Sequence, residues 1–100
     1  MIGVTDADES DEVLAFIAER RGPVLRAAID DLAAAPVDDL PDVTHRLHGI
    51  LGSYGLDEAH EHIAALAELL ADADVSAAQA QAARESTVVE LRRLADEGGA

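Results

Sequence analysis

The apolar residues of this 100-residue chain recur at helical spacing along its length, and no segment alternates with period two. Leu25, Ala28, Ile29 and Leu32 make one such stripe. Ala59, Ile63, Leu66 and Leu70 make another, and Val88, Leu91 and Leu94 a third. A stripe on one helix face must be buried against another element. The expected class is therefore all-α, and short connections favour an antiparallel up-and-down four-helix bundle with a short additional N-terminal helix. Apolar residues are 49% of the chain, yet Phe16 and Tyr54 are the only aromatics, so Leu and Ala must build the core.

Gly and Pro divide the chain. The first predicted helix spans about Ser10 to Arg20, with Ser10 or Asp8 as N-cap and Val13, Leu14, Phe16 and Ile17 as apolar contacts. Gly22-Pro23 should interrupt it, with Pro23 in the first turn of a second helix to about Ala35. Pro36 stops that helix. A third begins near Asp39, carries Pro41 in its first turn and ends around Gly52 to Gly55. A fourth runs from about Leu56 to Ala73 and a fifth from Ser76, its N-cap, to about Ala95. Residues 1–9 are expected to be a flexible N-terminus, 10–96 the bundle and 97–100 a flexible C-terminus.

Composition narrows the function. Without cysteine there is neither a disulfide nor a thiolate metal site. No apolar run reaches the roughly 18 residues of a membrane span, and the acidic stretch Met1 to Glu12 is unlike a signal peptide. The expectation is a cytoplasmic monomer. The formal net charge is −14 and all seven basic residues are arginine, which makes nucleic acid and anionic membranes poor partners.

The third helix holds the most informative stretch, Thr44-His45-Arg46-Leu47-His48-Gly49-Ile50-Leu51-Gly52-Ser53-Tyr54-Gly55. With His45 at zero and about 100° per residue, Leu40, Val43, Leu47, Ile50, Leu51 and Tyr54 fall between about 140° and 240°. That arc is the expected buried face, and His45 points away from it. Pro41, Asp42, His48, Gly49 and Gly52 surround His45, and none is a large apolar residue. A glycine within a helix costs about 1 kcal/mol against alanine. Clearance around the imidazole is the compensation: a neutral ring nitrogen can attack an activated phosphoryl group only if a second protein can reach it.

The spacing of His45, Leu47, Gly49 and Gly55 resembles the signature of the histidine phosphotransfer (HPt) domain family, H-x-L-K-G-(S)-(S)-x-x-x-G, and the helix order over residues 10–96 is similar to that family's. The resemblance implies a phosphorelay carrier. His45 would accept a phosphoryl group from a receiver-domain aspartate or a sensor histidine kinase and pass it to another response-regulator receiver domain. Gly49 would give the receiver room and Gly55 would shape the turn. The chain itself would need no cofactor, since Mg²⁺ belongs to the receiver, and no ATP-dependent kinase activity is expected. The family's lysine is replaced by His48, and its two small residues by Ile50 and Leu51. Glu68 is a loose match to an acidic residue on the following helix.

Other side chains carry lesser expectations. His48 reads as an electrostatic assistant to His45, Arg46 as a receiver contact, and Arg20, Arg21 and Arg26 as rim contacts. Asp42 either bonds the His45 ring or solvates the first turn. His60 and His62 read as boundary packing. Together with His45 and His48 they suggest a metal module, but histidines at i and i+2 diverge by about 200° on a helix. Asp30-Asp31, Asp38-Asp39 and Glu58-His60-Glu61 read as solvated surface rather than catalytic dyads. Two alternatives to the carrier stand: an HPt-like adaptor that binds a receiver or another partner without carrying phosphate, and the small metal-binding module.

Overall fold

The computed structural model describes residues 2–97, and within its first helix the side chains from Ala15 onward other than Ile17. Four α-helices follow one another: α1 (Ile2–Ala34), α2 (Leu40–Ser53), α3 (Asp57–Leu70) and α4 (Ala77–Asp96). A single 3-10 turn, Val37–Asp39, precedes α2. There is no strand among the described residues.

The expected break at Gly22-Pro23 is absent. α1 passes straight through with Pro23 inside it. A proline removes the hydrogen bond to the carbonyl four residues back, here that of Glu19. Glu19 and Pro23 are both exposed, so that carbonyl lies on the side that water can reach. The first two predicted helices are thus one helix of 33 residues, about 50 Å long at 1.5 Å per residue. It begins at Ile2, within the segment 1–9 expected to be frayed, so Asp8 and Ser10 are interior positions rather than N-caps. Phe16, expected as an apolar contact, is 54% exposed, with the Arg20 guanidinium 4.1 Å above its ring. Val13, Leu14 and Ile17 lie outside the described side chains, and residues 98–100 outside the described chain.

The core starts more than two helical turns beyond Phe16. Leu25, Ala28, Ile29 and Leu32 of α1 are buried, as their spacing predicts. α3 adds Ala59, Ile63 and Leu66, while α4 adds Ala80, Val88, Leu91 and Leu94. α2 is rotated slightly from its expected setting. Leu40, Leu47 and Leu51 are buried as predicted, and so is Thr44. Ile50 is 37% exposed and Tyr54 only half-buried. The buried arc therefore centres on the Thr44 side, and Thr44 is accommodated because its Oγ donates to Pro41 O at 3.0 Å.

Each helix end has a local cause. α3 stops at Leu70, short of the predicted Ala73; two residues later the Asp72 carboxylate accepts from Asp74 N at 2.9 Å, a side-chain turn that competes with helix. Ser76 caps α4 as predicted, in a reciprocal box. Its Oγ accepts from Gln79 N at 3.1 Å, and Gln79 Oε1 accepts from Ser76 N at 2.8 Å. The C-terminus of α1 has no basic residue of its own. Arg84 of α4, only 8% exposed, supplies one: its Nη1 donates to Leu32 O at 3.1 Å, Ala33 O at 3.4 Å and Ala35 O at 2.6 Å, and its Nη2 to Gln81 Oε1. A guanidinium at a helix C-terminus satisfies orphan carbonyls and complements the helix dipole.

Candidate functional site

α2 starts with Pro41 in its first turn and ends in a glycine turn, so its sequence defines both limits of the segment carrying His45. At the C-terminal end, Gly55 has φ +68°, a conformation side-chain-bearing residues rarely adopt. Gly55 N donates to Gly52 O at 3.1 Å and Leu56 N to Leu51 O at 3.0 Å. This is a Schellman closure, with Leu51 and Leu56 both fully buried beside it. Arg21 of α1 completes the turn: its Nε donates to Tyr54 O at 2.8 Å. Arg21 was expected at a docking rim; it is instead tied to the turn that follows the histidine helix.

His45 lies between these limits, exposed, on the α2 face turned from the core. Gly49, one turn later, is exposed too, and a Cβ added there would meet nothing within 4 Å. Among the described residues no packing asks for glycine at 49. His45 borders an open groove of about 440 Å³, walled on the α2 side by Pro41, Thr44 and His48 and on the α3 side by Ala64, Ala67, Glu68, Leu70 and Ala71. The alanines keep the α3 wall low, and Glu68 is the carboxylate on it. Among the described residues the His45 ring has no hydrogen bond or ion pair, which leaves both ring nitrogens available to a partner.

The remaining candidates are placed less simply. His48 is half-buried and packs face to face on His60, ring centroids 3.8 Å apart and planes tilted by 30°. It is thus held against a neighbouring ring rather than free. Gly52 belongs to the same arrangement, since a Cβ there would lie 3.3 Å from His60 Cδ2. Its missing Cβ leaves room for the His60 ring. Arg46 pairs with Asp31 of α1 at 3.3 Å, both side chains more than half exposed, so the pair holds it only weakly. Arg20 lies over Phe16, and Arg26 lines a separate cleft with Arg92 between α1 and α4. Asp42 is exposed on the first turn. Asp30, Asp31, Asp38, Asp39, Glu58 and Glu61 are all exposed as well. Arg93, held between Glu90 and Glu97, has its pKa raised by hydrogen bonds to both.

Two of the four histidine rings meet. His48 and His60 meet by their faces, whereas metal coordination uses lone pairs in the ring plane. Among the described residues no three His, Asp or Glu side chains converge. Sequence reasoning missed the stack, although a signal existed: His48 and His60 lie six residues either side of Tyr54, the first residue of the short α2–α3 connection. Thr44 with Ala64 and Pro41 with Ala67 share that centre, and all four line the groove. No helix of the described residues is long and apolar enough to cross a membrane. Comparison of the chain with protein-family models, curated proteins and solved structures returns no match.

Proposed function

We propose that the chain is a histidine-containing phosphocarrier of a two-component phosphorelay, with His45 as acceptor. The observation that carries this reading is an exposed imidazole midway along α2 with open space at Gly49 beside it. Its support in the sequence is the spacing of His45, Leu47, Gly49 and Gly55 on a four-helix, all-α chain. In this reading the helices form an antiparallel up-and-down bundle of HPt type, and the C-terminal half of α1 serves as its first helix.

The reaction needs little from the carrier. A neutral His45 nitrogen attacks the phosphorus of a receiver's aspartyl phosphate. The P–O bond to the aspartate breaks, an N–P bond forms, and the aspartate leaves as carboxylate. The phosphorylated ring keeps its other N–H and becomes an imidazolium, so charge balances without a proton leaving. The receiver supplies Mg²⁺ and its acidic pocket; the carrier supplies a positioned nucleophile, a proximity effect. Partners are receiver domains and a sensor histidine kinase, met by a cytoplasmic monomer. Incubation with a phosphorylated receiver should give an acid-labile, alkali-stable label, abolished in His45→Gln. A wild-type chain that takes no label, or a variant that takes as much, defeats the reading.

A second reading has its own observation. His48 stands where the HPt family has lysine, and Glu68 faces the groove, which has no lysine or arginine among its described lining residues. That favours an HPt-like adaptor that docks without carrying phosphate. Receiver binding of equal affinity in wild type and His45→Gln, with no label on either, would select it.

A further inference from the structure

His48 follows His45 by one turn on the same side of α2, and both border the groove. Two contacts fix the ring behind His48. One face of His60 meets His48, with centroids 3.8 Å apart. Its Cδ2–Nε2 edge lies over bare α2 backbone, where a Cβ at Gly52 would approach to 3.3 and 3.4 Å. The base of His60 is fixed as well, since its backbone N donates to Leu56 O at 2.8 Å at the start of α3. A surface imidazole without a neighbour samples several rotamers; His48, stacked on a ring that is itself confined, does not.

We infer that His60 is a positioning residue for the transfer: by stacking, it holds the His48 ring so that an N–H on its edge donates to an oxygen of a phosphoryl group arriving at His45. The inference rests on the phosphocarrier reading of His45. Neutral imidazole retains one N–H, so the donation requires no charge on His48. The orienting work falls to His60 and to the missing Cβ at Gly52.

Phosphoramidate tests this without a partner protein. It gives up its phosphoryl group to an imidazole nitrogen as the P–N bond to its own nitrogen breaks and ammonia leaves. Loading of His45 in ¹⁵N-labelled protein is followed by ³¹P and ring ¹⁵N resonances, with His45→Gln identifying the signal. Loading should slow about threefold in His48→Phe, the weight of one neutral hydrogen bond. His60→Ala should slow it equally and abolish the shift of the His48 ring N–H on phosphorylation. His60→Phe, which keeps a flat face, should restore both. The double variant His48→Phe/His60→Ala should be no slower than His48→Phe alone, because His60 acts through His48. Gly52→Ala, which presses on the His60 ring, gives a second route to the same slowing should His60→Ala unfold. Loading that is unchanged in His60→Ala, not restored by His60→Phe, or additive in the double variant overturns the positioning role alone. A wild-type His45 that never loads overturns the carrier reading and the donation together.

Discussion

Two helix ends in this molecule are closed by an arginine reaching across from another helix. Arg84 of α4 takes three carbonyls at the end of α1 and is almost entirely buried. Arg21 of α1 takes one carbonyl, Tyr54 O, at the end of α2 and is exposed. The chemistry is the same and the energetics differ. Water can replace Arg21 at Tyr54 as soon as the side chain leaves. At Leu32 and Ala35 it cannot do so without opening the α1–α4 contact. The buried arginine therefore belongs to folding, and the exposed one only trims a turn that Gly55 already shapes.

The sharpest challenge is Arg84→Met, which leaves carbonyls at the end of α1 without a donor. It should destabilise by about 2–3 kcal/mol and lower Tm by roughly 10 °C or more. A loss under about 0.5 kcal/mol in a urea titration would mean that burial does not set the value of the contact. Gly55→Ala comes next, at about 1–2 kcal/mol, because alanine is forced to positive φ. Gly49→Ala should have the opposite sign, a gain of about 0.5–1 kcal/mol, since a helical glycine with open space has no conformational need to be one. Thermal melts of these two glycine variants, moving in opposite directions, separate a glycine the turn requires from one it does not. Arg21→Ala should be the mildest, below about 1 kcal/mol. If it matched Arg84→Met, the contrast between the two caps would collapse.

Much of α2 was legible because each of its features is local. The stripe of Leu40, Leu47 and Leu51, the proline in the first turn and the glycine turn all follow from residues near one another in the chain. The exposure of His45 followed from the same helical arithmetic. What escaped was non-local or concerned context. Pro23 looks like a helix breaker, and only the solvent around Glu19 and Pro23 shows why α1 runs through it. Ile50 and Thr44 exchange expected places because the facing helices, not hydrophobicity alone, choose the buried arc. Arg84 gives no sign in sequence that it will close a helix some fifty residues earlier, and the engagement of His48 with His60 shows only in their equal distances along the chain from Tyr54.

Gly49 has one further consequence. Whatever lies against α2 at that point meets main chain, the atoms every residue shares, rather than a side chain. Under the carrier reading, a contact at that point would be lost by adding a side chain at position 49 rather than by removing one.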